Sequence, residues 1–121
     1  MNRDKACLED IIQSMRSVVV YVGTLTVDEF IKNELVSHAV ERCLGIIDEA
    51  TKRLSMPLRD DQPQIPWRKM AGLRDVLIHG YDAIDMNLIH SVATQLIPPL
   101  IPMIEAILAG LPDDPSATLP A

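Results

Sequence analysis

The sequence predicts an all-α fold, a compact bundle of four to five helices. Three observations lead there. Apolar residues recur at i, i+3, i+4 and i+7 over several long stretches, which is the spacing of one buried helix face. No stretch shows the two-residue alternation of a half-buried strand, and there is no internal repeat. Composition agrees: 48% of the 121 residues are hydrophobic but only 3% are aromatic, so the core must be built from Leu, Ile, Val, Ala and Met, a mixture that favours helices.

The first helix is expected from Asp4 to Val22, where Leu8, Ile11, Ile12, Met15, Val18, Val19 and Val22 share a face and Gly23 ends the run. Thr26, followed three residues later by Glu29, forms a capping box that opens a short second helix. Helical spacing returns from Leu35 or Val36 to Leu54, through Ala39, Val40, Cys43, Ile47 and Ala50, either as a third helix or as the second resumed after a bend. SMPLRDDQPQIP, with Pro57, Pro63 and Pro66 around a polar middle, reads as a loop. Pro66 suits the first turn of a fourth helix, which turns Trp67, Met70, Leu73, Leu77 and Ile78 inward and frays near Gly80. Asp85 or Asn87 can cap a fifth, running through Leu88, Ile89, Val92, Ala93 and Leu96 to about Leu108. Pro98, Pro99 and Pro102 each remove a backbone donor, so a bend or break is expected there. The end, GLPDDPSATLPA, has neither periodicity nor enough apolar surface to order itself. A single domain over residues 1–110 with a flexible tail over 111–121 follows, since this length is about that of one domain.

Composition also narrows the function. No apolar run reaches the roughly 18 residues needed to cross a bilayer, and MNRDKACLED lacks the apolar stretch of a secretory signal. A cytoplasmic protein without a membrane partner is therefore expected. Cys7 and Cys43 lie at apolar helical positions without metal-ligand spacing, and so read as reduced, packed thiols. His38 and His90 have no spaced partners and read as solvated or locally bonded. Trp67 reads as a core or dimer anchor. The net charge of −6 argues against a general nucleic-acid coat protein. Its distribution is uneven, however. From residue 52 to 74, Lys52, Arg53, Arg59, Arg68, Lys69 and Arg74 face only Asp60 and Asp61, a balance of +4 that leaves −10 on the rest of the chain. A charge run of this kind is commonly a solvated face, but here it leads straight into GLRDVLIHGYDAID, residues 72–85.

That stretch places Arg74, Asp75, His79 and Tyr81 in a mostly apolar helical segment. On a helix Arg74 and Tyr81, seven apart, share a face, while Asp75 and His79 stand at i and i+4. The Asp75 carboxylate would then favour a charged imidazole and fix its tautomer. His79 lies about 140° round from Arg74 on an ideal helix, a gap that the long arginine and the nearby Gly80 can close. Guanidinium, imidazole and phenol close together suit a phosphodiester: arginine offers a fork of donors to phosphate oxygens and histidine moves protons near neutral pH. No metal or other cofactor is called for, and no Glu, Asp or His cluster has evident metal spacing. Taken alone, Arg-x4-His fits a structural ion pair or a helix C-cap sooner than catalysis. Glu49 could meet Arg74 across the bundle, although carboxylates on a long helix usually face water.

The segment IPWRKMAGLRDVLIHGYDAID, Ile65 to Asp85, resembles the signature of the HEPN superfamily, in particular the HepT-like toxins encoded beside minimal nucleotidyltransferase antitoxins. Arg74, His79 and Tyr81 match its Arg-x4-His-x-Tyr hallmark, and upstream HAVERCLGIIDEATKRLS matches at Ala39, Val40, Glu49, Ala50 and Leu54. The likeness covers nearly the whole chain except the tail. Three positions depart: His38 stands where aspartate is common, Asp48 where glycine is common and Asp75 where asparagine is frequent. The resemblance implies an HEPN-like bundle that forms a homodimer and cleaves RNA without a metal, with Arg74 and His79 catalytic and Asp75 supporting. It also implies a nucleotidyltransferase antitoxin that transfers AMP onto Tyr81. Two other readings stay open: a non-nucleolytic binding partner of a nucleotidyltransferase, and a structural helical protein whose Arg74, Asp75 and His79 merely satisfy one another.

Overall fold

A computed structural model of the chain describes residues 3–77 and 85–112. Among the described residues there is no strand, and the fold is an all-α, HEPN-like bundle. The first helix, α1 (Asp4–Val22), has the predicted limits and buries Leu8, Ile11, Ile12, Met15, Val18 and Val22; Val19, assigned to the same face, is instead 39% exposed. Gly23 ends α1 at φ +51°, and its N–H donates to the carbonyl of Val19. A side chain at that φ would be strained.

The capping box is present at the start of α2 (Val27–Lys32). The Glu29 N–H donates to Thr26 Oγ1 at 3.2 Å, and the Thr26 N–H donates to Glu29 Oε1 at 2.9 Å. Bonding from the Thr26 backbone, and then from its hydroxyl, holds the Glu29 carboxyl below its usual range. A single residue, Asn33, both ends α2 and caps α3 (Glu34–Lys52) by accepting from the Val36 N–H, so these are two helices with a sharp corner. Among the described residues, the pairing of α1 with α3 is the most extensive.

SMPLRDDQPQIP is not all loop. Its first half forms α4 (Met56–Asp61), capped by Ser55 and carrying Pro57 in its first turn. No residue of α4 is buried, so apolar spacing has nothing to report there. What fixes it is distant in sequence: the buried carboxylate of Asp4 accepts the Ser55 N–H at 2.8 Å and the Ser55 hydroxyl at 2.6 Å.

The expected fourth helix is split into α5 (Trp67–Met70) and α6 (Leu73–Leu77), with a turn at Ala71–Gly72. Pro66 is the residue just before α5, and Trp67 is buried with Nε1 donating to the carbonyl of Gln62 at 2.9 Å. The cause of the split lies on α3: the Arg74 N–H donates to the carboxylate of Asp48 at 2.8 Å. Two short helices can use that acceptor, whereas an unbroken one would direct the same N–H to its own preceding turn.

Asp85 caps α7 (Met86–Ser91) by accepting the Leu88 N–H. The prolines do not break the helical path. One π-helical turn, Val92–Leu96, precedes α8 (Ile97–Gly110), which carries Pro98 and Pro99 at its start and Pro102 inside. The π turn lies just before the two adjacent rings, whose missing donors would interrupt an α-helical ladder. Counted as one path, Met86–Gly110 is 25 residues long and contains an 18-residue window with a mean hydropathy of 1.6. By length and composition alone it could cross a membrane, contrary to the expectation drawn from uninterrupted apolar runs. In the bundle one face of it is buried, through Ile97, Leu100, Ile104 and Ile107, and α8 packs on α1.

Cys7 and Cys43 are both free and buried, and burial is the main cause pushing each thiol above its usual range. They hold little thiolate at neutral pH and behave as packed apolar groups. His90 bonds more distantly than expected: Nε2 lies 2.9 Å from the carbonyl of Leu25, and the ring packs 5.5 Å from that of Phe30. α8 ends at Gly110, and the expected flexible tail lies, from residue 113 on, outside the described residues.

Candidate active site

Arg74 leaves α6 beside the middle of α3. Its side chain is half exposed, and the guanidinium crosses over Gly45: Nη2 would lie 3.6 Å from a Cβ placed on that glycine. Glu49, one turn further along α3, brings Oε1 to 3.9 Å from Nη2. The contact weighed from the sequence is thus present, but as a loose pair between two half-exposed groups. Such pairs contribute about 0–1 kcal/mol, so guanidinium donors remain for another acceptor.

Below this pair lies Asp48, only 1% exposed. One carboxylate oxygen takes the Arg74 N–H at 2.8 Å. The other lies 2.8 Å from Lys52 Nζ, close enough to pair charges but not aligned as a hydrogen bond. Gly45, Asp48 and Glu49, at i, i+3 and i+4, thereby meet one residue of α6 from a single face of α3. Sequence reasoning did not assign Asp48 to the site. The available signal was an acid on the apolar face of a long helix, which must find partners or be costly to bury.

Asp75 is exposed on α6. His79 and Tyr81 lie outside the described residues, as does the expected contact between Asp75 and His79. Of the six cations between residues 52 and 74, Arg59 is tied into the fold, donating to the Leu54 carbonyl at 3.0 Å, whereas Lys52, Arg53, Arg68, Lys69 and Arg74 are exposed. Beside α6, a mainly apolar groove of about 410 Å³ runs between Leu73, Val76, Leu88 and Leu96. Among the described residues, no group of three or more His, Cys, Asp or Glu side chains is placed to hold a metal ion.

The sequence profile described as ribonuclease HepT-like matches residues 9–107, which contain every one of these side chains. The chain belongs to the ribonuclease HepT-like family. It is 38% identical over 107 residues to a Methanocaldococcus jannaschii protein named as a candidate RNase, covering 88% of each chain. A second such protein from that organism is 35% identical over 103 residues, covering 85% of this chain and 94% of the relative. A Thermococcus cleftensis protein provisionally named ribonuclease HepT is 33% identical over 96 residues, or 79% of this chain and 87% of the relative. No solved structure gives a significant match.

Within this HepT-like chain the glycine under the arginine is testable. A methyl group at Gly45 would make ordinary van der Waals contact with the guanidinium, and alanine favours a helix interior by about 1 kcal/mol over glycine. Gly45→Ala should therefore raise stability by about 0.5–1 kcal/mol in urea unfolding. Gly45→Leu has no such room and should displace Arg74; an Arg74–Glu49 contact that survives it in a crystal structure would refute the close approach.

Proposed function

We propose that this HepT-like protein is a metal-independent endoribonuclease in which Arg74 and His79 act together on the RNA backbone. The observation that carries this reading is Arg74 itself: a motif arginine of a ribonuclease family, backbone held by a buried acid, guanidinium left half exposed. In the reaction, the RNA 2′-hydroxyl attacks the adjacent phosphorus and the bond to the 5′-oxygen breaks, leaving a 2′,3′-cyclic phosphate and a 5′-hydroxyl. His79 assists proton transfer and Arg74 stabilises the charge gathering on the phosphoryl oxygens. A homodimer would bring two copies of the motif to one cleft and let one His79 act as acid while the other acts as base. The apolar groove beside α6, next to the 39%-exposed Leu88, is a suitable surface for the second copy.

The same reading makes the protein a toxin restrained by a minimal nucleotidyltransferase antitoxin, which transfers AMP to Tyr81. An adenylyl phosphate there would offer Arg74 an intramolecular anion in place of substrate. RNA and DNA of one sequence, incubated side by side, test the cleavage: RNA should be cut and DNA, lacking the 2′-hydroxyl, should survive. Comparable cutting of DNA would defeat the mechanism. Co-expression with the neighbouring nucleotidyltransferase tests the restraint. Tyr81→Phe should arrest growth where the wild-type protein is silenced; equal silencing of both would place inhibition in binding rather than AMP transfer.

A further inference from the structure

Asp48 has a role at this site, which we infer to be that of a positioning residue for Arg74; the inference rests on the ribonuclease reading above. A carboxylate that is 1% exposed is costly to keep in a helix interface unless its oxygens are engaged. Here one oxygen is engaged by the residue whose placement matters most, and the other lies beside Lys52 without an aligned hydrogen bond. Oδ2 accepts the backbone N–H of Arg74 across 26 residues of sequence, and Lys52, itself largely exposed, balances the charge from the solvent side. One turn along the same face, Gly45 leaves space for the guanidinium and Glu49 lies beside its tip. The Arg74 backbone and its charged end are thus both registered against α3, one by a hydrogen bond and the other by a shaped surface.

This arrangement explains why α6 starts afresh at Leu73 rather than continuing α5. The break frees the Arg74 N–H for Asp48 and sets the direction in which the side chain leaves the helix. Without that bond α6 can slide or rejoin α5, and the guanidinium shifts relative to a bound phosphate. Displacements of about 1 Å at a reacting centre can cost up to about a hundredfold in rate. The loss should fall on kcat, because RNA binding draws on many phosphate contacts and the chemical step on one well-placed fork of donors.

The test compares wild-type protein with Asp48→Ala and Asp48→Asn, at a temperature well below the unfolding of each, with cleavage kinetics and hydrogen exchange at the Arg74 amide. In Asp48→Ala, kcat should fall about tenfold or more with KM within about twofold, and the Arg74 amide should exchange at least about tenfold faster. Asp48→Asn keeps an oxygen that can accept the same N–H, so both readouts should return to within about threefold of wild type. If Asp48→Ala does not fold, Asp48→Ser gives the same comparison, because its shorter side chain cannot reach Arg74. Unchanged kcat in Asp48→Ala or Asp48→Ser, with active wild-type protein, overturns the positioning role alone. A wild-type protein that cuts no RNA overturns the ribonuclease reading and the positioning role with it.

Discussion

Alanine at His79 or at Arg74 is expected to lower RNA cleavage by roughly 10²- to 10³-fold. A positioned proton-transfer group contributes about 10²- to 10⁴-fold, and one donor aimed at developing charge contributes about 10²- to 10³-fold. Neither loss should come from unfolding in the case of Arg74. Its side chain is half exposed and its ion pair with Glu49 is loose, so Arg74→Ala should change stability by less than about 1 kcal/mol. Its backbone N–H, the part that Asp48 holds, is unaffected by the substitution. Arg74→Lys keeps the charge but not the planar fork, and should recover only part of the rate. Single-turnover cleavage by each variant, set beside its urea unfolding curve, separates the two effects. Full activity in Arg74→Ala would move the active site elsewhere on the molecule.

Phe30→Ala should have the largest effect on stability, about 3–5 kcal/mol, out of the roughly 5–15 kcal/mol that holds a domain of this size together. Phe30 is the sole buried residue of α2 and is fully enclosed. Its ring packs against His90 of α7, whose Nε2 meets the Leu25 carbonyl just before α2. Truncation would leave a cavity and remove the main attachment of α2 to the bundle. The midpoint of urea unfolding should fall with little change in its slope. A loss below about 1 kcal/mol would mean that α2 does not dock through this ring.

The helices that were legible in the sequence are those whose signals are local. α1 and α3 repeat an apolar face over five turns, α2 declares itself by Thr26 and Glu29, and α7 by Asp85. The elements that were not legible depend on partners far along the chain. α4 has no buried face to create a pattern and is fastened by Asp4, 51 residues away. The break between α5 and α6 follows from Asp48, which satisfies an N–H that spacing alone would assign within the helix. The π turn before Pro98 is a response to two adjacent rings that a residue-by-residue reading takes for a break.

The site divides in the same way. Arg74 stood out as a cation in an apolar segment, while its meeting with Glu49 was one of two options for that carboxylate, the other being to face water. Asp48 was harder to read, since it belongs to no motif and its one signal is an acid on the apolar face of α3. Its meaning comes from burial, and burial is a property of the folded molecule. Charge patterning was informative only in part. The +4 segment is exposed at most of its cations, yet Arg59 serves the backbone of Leu54 and Lys52 neutralises Asp48.

We propose RNA cleavage by Arg74 and His79 through the ribose hydroxyl, with no metal ion. Its most direct test is to incubate purified protein with a defined RNA in excess chelator and to determine the chemistry of the new ends. Undiminished cleavage with 2′,3′-cyclic phosphate and 5′-hydroxyl termini is expected. Cleavage that stops on chelation, or that leaves 3′-hydroxyl and 5′-phosphate ends, would contradict it.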